Sequence, residues 1–168
     1  DASKMGVPQR RERVFFIALR KDLATPFLKQ VDLFCIQPEL KMEFKEKEIK
    51  FSEVFHDYCD RPLIGEVLNV YNEAKKGETD LRYAAFRLKG KQDFFGYKLT
   101  YSESIPLTVL SSDNVIVFGQ SRYRNFDELL LCGSYPSDYD FKNNKPEYLI
   151  GMSVPPVMVA QIATEIWN

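Results

Sequence analysis

The chain has 168 residues, 45% hydrophobic and 28% charged, with a formal net charge of −1. That composition belongs to a folded globular protein and excludes a strongly basic nucleic-acid coat or a disordered chain. No run of about 18 apolar residues predicts a membrane span, and no charged-then-apolar leader points to secretion.

Cys35, Cys59 and Cys132 make an odd set with no metal spacing. Buried thiols in a reducing cytoplasm, prokaryotic or phage-like, are the expectation. No metal site is expected.

Charge is unevenly spread. Lys4, Arg10, Arg11, Arg13, Arg20 and Lys21 face only Asp1 and Glu12 in residues 1–21. Residues 22–60 are net acidic. Residues 81–98 are basic again, through Arg82, Arg87, Lys89, Lys91 and Lys98 against Asp93. Two basic islands around an acidic stretch suit a cleft that takes a polyanion on one side.

In chain order, the first element is Gly6-Val7-Pro8-Gln9-Arg10-Arg11-Glu12-Arg13 running into Val14-Phe15-Phe16-Ile17-Ala18-Leu19. The six uncharged residues predict a strand buried on both faces. The arginines would stand at its mouth, each a planar fork suited to phosphate oxygens and base edges. The plainer reading is a basic loop paired to carboxylates.

Thr25-Pro26 and Gln37-Pro38 are breakers, with a short strand predicted over Val31–Ile36. Residues 41–50 are charge-dense and read as a solvated connection. Phe51–Phe55 starts a short helical turn, and His56 has no catalytic partner in sight.

Residues 61–76 predict a helix capped by Asp60. Pro62 sits in its first turn, Gly77 at its end, and Leu63, Val67, Val70, Tyr71 and Ala74 form its stripe. From Thr79 to Tyr101 aromatics interleave with cations, with a helix over 81–88 and a strand over 94–101. That pattern reads equally as a phosphate-contacting platform and as a sheet edge guarded by charge.

Residues 104–110 and 115–118 predict two strands joined by a turn at 111–114. Asn125 and Glu128 form a capping box for a helix over 126–132. Gly151-Met152-Ser153-Val154-Pro155-Pro156 leads into a final surface helix over 157–167 with Ser153 as its cap. Its apolar side is Val159, Ile162, Ala163 and Ile166, opposite Gln161, Thr164 and Glu165.

Three of these stretches carry a resemblance. GVPQRRERV resembles the eighth conserved motif of DNA cytosine-5 methyltransferases. Arg122 through Phe141 resembles the ninth: an arginine, six residues to Glu128, eight more to the proline of Tyr135-Pro136-Ser137-Asp138-Tyr139. GMSVPP resembles the tenth. They stand in the family's order and cover about a third of the chain. The departures are Met152 for an asparagine, Leu131 for an arginine and Ser134 for a glycine.

The resemblance implies an α/β fold. Residues 1–22 and 146–168 would belong to a Rossmann-like catalytic half, and 23–145 to a small α+β target recognition domain. It implies double-stranded DNA as partner, together with an N-terminal catalytic half or partner subunit. The family's Pro-Cys nucleophile, glycine-containing cofactor loop and Glu-Asn-Val segment do not occur. The chain therefore resembles the C-terminal portion of such an enzyme and is expected to be inactive alone.

In the complete enzyme a cytosine is extruded from the duplex. A thiolate adds to carbon 6, carbon 5 takes a methyl group from S-adenosylmethionine, and a proton leaves. Carried over, Arg13 steadies the charge built up during addition, with Arg11 beside it. Gln9 helps place the strand. Arg10, Arg82, Arg87, Lys89 and Lys91 join them as DNA-binding candidates, Ser153 and Val154 lie toward the cofactor, and 23–121 hold the base readout. The rival reading is a non-catalytic DNA-binding or regulatory subunit. The ends of the chain should leave apolar surface at Phe15, Ile17, Val159, Ile162 or Ile166.

Overall fold

A computed structural model describes residues 1–30, 33–34, 36–38 and 42–167. The helices are α1 (Lys21–Ala24), α2 (Phe51–Val54), α3 (Gly65–Tyr71), α4 (Arg82–Lys89), α5 (Phe126–Cys132), α6 (Pro146–Met152) and α7 (Pro156–Trp167). The strands are β1 (Leu28–Gln30), β2 (Ile36–Pro38), β3 (Lys98–Thr100), β4 (Val115–Val117) and β5 (Arg122–Tyr123). The mixture of helix and strand agrees with an α/β fold. Half of the expected strand over 31–36 lies outside the described residues, Cys35 among them.

β1 and β2 form an antiparallel pair, Lys29 opposite Gln37. The second sheet runs β3-β4-β5, with β3 parallel to β4 (Leu99 opposite Ile116) and β5 antiparallel to β4. A parallel pair cannot be closed by a tight turn and needs a long crossover. Residues 101–114 supply it, which corrects the strand expected over 104–110. Pro106 has no N–H to give to a ladder. Its carbonyl accepts instead from the Arg10 N–H at 3.0 Å.

Three apolar clusters hold the chain. Phe51, Val54, Val109, Leu129, Leu130 and Ile150 build one, and Leu63, Val70, Leu81, Ala85, Leu99 and Ile116 a second. In the third, Met158 and Ile162 of α7 close on Ala2, Met5 and Val7, joining the two ends of the chain.

Residues 14–19 are not the buried strand their composition predicts. They have no strand partner among the described residues, and Val14 is 80% and Phe16 96% exposed. Ile17 and Val159 are exposed as expected, Phe15 and Ile166 are half-buried, and Ile162 is buried. On α7 the row that turns inward is Met158–Ile162, while Val159 and Ala163 face out.

The helix expected from 61 is shorter. Pro62 instead bridges to Arg122, and Gly65 takes φ +57°, a turn that only the next residues can follow as helix. Asp60 caps a different helix, accepting from Phe126 N–H at 2.9 Å. The apolar stripe survives: Leu63, Val70 and Tyr71 are buried.

Pro146–Trp167 reaches 22 residues at mean hydropathy 1.4, long and apolar enough by composition to cross a membrane. It is broken at Ser153, which ends α6 with N–H bonds to Leu149 and Ile150 carbonyls. Neither 7-residue α6 nor 12-residue α7 then spans a bilayer core of about 30 Å. Ser153 therefore closes α6 and does not cap α7. The hydroxyl of Ser134 takes that part, accepting from Val157 N–H at 3.2 Å.

Candidate nucleic-acid interface

The opening segment is folded back on itself before it reaches the arginines. Asp1 caps a short 3-10 helix through Ser3 N–H, and the Ala2 N–H bonds the Arg11 carbonyl at 2.9 Å. Burial then alternates along the chain: Gln9 in, Arg10 out, Arg11 in, Glu12 and Arg13 out.

Gln9 is buried, its amide donating to the Cys132 carbonyl at 2.6 Å and accepting from Val109 N–H at 3.1 Å. Arg11 is 3% exposed. Its guanidinium donates to the carbonyls of Val109 (2.9 Å), Gly151 (2.7 Å) and Ser153 (2.8 Å). Burial, reinforced by the neighbouring Arg13 charge, holds its pKa below the ordinary arginine value.

Gln9 and Arg11, expected at the DNA, thus face inward in this chain. Both are polar groups inside the protein bonded to backbone, with the Arg11 Nε left buried without a partner. The exposed cations of the motif are Arg10 and Arg13; among the described residues Arg13 bonds the Glu12 carbonyl, at 2.7 Å.

Arg10 overhangs a groove of about 590 Å³. Lys98, Leu99 and Tyr101 form one wall, and Ser104, Ile105, Leu107, Thr108 and Leu110 of the crossover a second. Thr108 donates its hydroxyl to the Arg10 carbonyl, so the backbone under Arg10 is tied to that second wall from two sides.

The second basic island is less free than its composition suggests. Arg82 pairs with Asp80 at 3.3 Å and lies over Tyr83. Arg87 pairs with Glu78 at 2.5 Å and also bonds the Glu73 carbonyl. Lys89 pairs with Glu66 and stacks over Phe94. Asp80 is two residues from Arg82, whereas Glu78 and Glu66 lie 9 and 23 residues from their partners, far enough to escape a local charge tally. Of the four candidates only Lys91 projects unpaired among the described residues.

A set of buried ion pairs lies elsewhere in the core. Arg122 makes a two-pronged pair with Glu128, at 2.8 and 2.7 Å, and Glu128 also accepts from His56 and Asn125 N–H. Arg124 is wholly buried against Asp113, one bond being 3.1 Å, and donates to the Leu107 carbonyl in the groove wall at 3.0 Å. Burial pushes the Arg124 pKa down, but the Asp113 carboxylate outweighs it and leaves it above the ordinary value.

The sequence reading missed Asp113 and Arg124. The local signal is an acid in a turn, Asp113, and a second arginine, Arg124, next to the Asn125 cap. Cys132 is no nucleophile: it is buried, and burial pushes its thiol up to about 11.

A family model for the C-5 cytosine-specific DNA methylases matches residues 1–168. The chain belongs to that family. No curated protein and no solved structure matches it. DNA is therefore the substrate class, methylation at cytosine carbon 5 the family's reaction, and S-adenosylmethionine the family's methyl donor.

In this methylase chain, Ser153 and Val154 do not fit a side-chain role toward that cofactor. The Ser153 hydroxyl donates to the Ile150 carbonyl at 2.9 Å, and its own carbonyl is taken by Arg11. Val154 offers only an apolar side chain.

Proposed function

We propose that this chain is the DNA-recognition part of a cytosine-5 methyltransferase, with residues 23–145 as its target recognition region, and that it does not transfer methyl groups alone. The observation that carries the reading is the pair of exposed guanidinium groups, Arg10 and Arg13. They stand on a backbone pinned from inside, with Arg10 lining an open groove. Arginine there neutralises phosphate at a fixed register, which positions DNA before any base is read. Arg13 is the group assigned to steady charge on the everted base.

The exposed apolar surface at Val14, Phe16 and Val159 supports a catalytic half as the missing partner. It favours the methyltransferase reading over a solitary regulatory subunit. The test is twofold. Binding of the chain to a cytosine-containing duplex should weaken steeply with salt, and mixing the chain with a catalytic half should restore methyl transfer to cytosine. Salt-insensitive or absent binding with no complementation would defeat the reading.

A further inference from the structure

We propose that Gln9 and Arg11 are positioning residues: a buried latch that fixes where Arg10 and Arg13 stand. The inference rests on the reading that those two exposed arginines meet DNA phosphate.

The geometry has three parts. Gln9 joins the opening segment to the end of α5 through the Cys132 carbonyl and to the crossover through Val109 N–H. Arg11 joins the same Val109, by its carbonyl, to the carbonyls of Gly151 and Ser153 at the close of α6. Two side chains thus tie one short stretch of backbone to three segments about 100 to 140 residues away, at |i−j| of 98, 100, 123, 140 and 142.

Arg11 makes no salt bridge among the described residues, and its Nε is buried without a partner. An arginine kept solely for stability would be expected to face a carboxylate, as Arg122 and Arg124 do. Arg11 spends its charge on backbone carbonyls, including those at the electronegative end of α6. What such bonds specify is register: where residues 9–13 lie against the groove wall.

The guanidinium is suited to this because its planar fork reaches carbonyls on both sides of the seam at once. An ammonium group, one compact point of charge, cannot bridge them with the same geometry. Arg10 is carried between the two latch points and Arg13 lies two residues beyond. A shift of the latch moves both cations together.

The experiment is a mutant cycle on duplex binding by this chain, read as the slope of log affinity against log salt. Arg10→Ala and Arg13→Ala should each reduce the slope by about 1, the loss of one phosphate contact. Arg11→Met should reduce it by about 2 in the parent chain and not at all in the Arg10→Ala/Arg13→Ala background.

Equal reduction in both backgrounds means that Arg11 touches DNA itself and overturns the inference. An Arg11→Met chain that folds and keeps the parent slope overturns it too. Should Arg11→Met not fold, Arg11→Lys enters the same cycle: it keeps the charge, and a slope restored to the parent value refutes the latch. If Arg10→Ala and Arg13→Ala leave the slope unchanged, the DNA reading of the groove fails first, and that result is distinguishable from failure of the latch.

Discussion

Replacing Glu128 by alanine is the sharpest test of the buried ion pairs. The carboxylate is fully buried and accepts four hydrogen bonds: two from Arg122 (2.8 and 2.7 Å), one from His56 N–H (3.1 Å) and one from Asn125 N–H (3.0 Å). Removing it leaves the Arg122 guanidinium buried with only the His56 and Tyr123 carbonyls as acceptors. Breaking a buried pair from one side costs about 3–5 kcal/mol. The upper half of that range is expected because the reciprocal cap of α5 is lost as well.

For a chain of this size about 1 kcal/mol shifts the melting temperature by roughly 2–4 °C, so the fall should be about 8–20 °C. Thermal unfolding followed by circular dichroism reads it, with urea titration as a check on two-state behaviour. Exchanging both partners for apolar residues, Arg122→Met with Glu128→Leu, should destabilise less than Glu128→Ala alone. If the double exchange costs as much as the two single losses combined, or Glu128→Ala costs under about 1 kcal/mol, the uncompensated-charge argument is wrong.

Four further outcomes follow from the same structure. Gly151→Ala would put a Cβ 2.4 Å from the Leu110 carbonyl carbon and 2.5 Å from the Ser111 nitrogen; backbone must move, so stability should fall by about 1–3 kcal/mol in urea titration. Ser134 adopts φ +56° while capping α7, so Ser134→Ala, which keeps the strain and loses the cap, should cost about 1 kcal/mol, whereas Ser134→Gly should come out near neutral. Iodoacetamide at about pH 8 should label exposed Cys59 and spare Cys132 by peptide mapping, since a buried thiol pushed up to about 11 holds almost no thiolate there. Arg87's hydrogen bond, partly opposed by burial, holds the Glu78 carboxyl below its ordinary 4.5; its contribution is therefore complete above 4.5 and lost as pH falls through the lowered value, so the stability gap between parent and Glu78→Gln should be widest above 4.5 and close as pH falls below it.

What the sequence discloses and what it hides divide along sequence distance. The Asn125–Glu128 box and the helix it starts, Phe126–Cys132, are legible because both partners lie within one turn. So are α4, whose cations and aromatics stay helical, and β4, a short branched run. Arg87 and Lys89 read as free cations because their acids, Glu78 and Glu66, arrive by the folding of α3 against α4.

Residues 14–19 read as a core strand by composition, yet pairing is a property of neighbours, and none is present among the described residues. α6 escaped notice although Pro146 at its start is an ordinary first-turn signal. Ser153 was credited to the wrong helix, since a residue between two helices can serve either. Of the candidate site, residue types were legible and directions were not. Alternation along 9–13 settles which side chains face out, and that depends on contacts about a hundred residues away.

The three family-like segments are far apart in sequence but meet at one seam. The eighth-motif residues Gln9 and Arg11 bond Cys132, within the ninth-motif stretch, and Gly151 and Ser153, within the tenth. Ser134 of the ninth bonds Val157 just past the tenth. Every one of these bonds has a backbone group at one end, so the seam constrains chain path more than side-chain identity at the receiving positions. Satisfied buried polar groups contribute little net stability beside apolar ones of equal volume, yet they admit far fewer alternative registers. A cluster whose arginines must stand at fixed places on a phosphate backbone needs register above all. That requirement gives a physical reason for polar side chains at positions 9 and 11, where apolar ones would bury more cheaply, and it separates the motif into two that hold and two that reach.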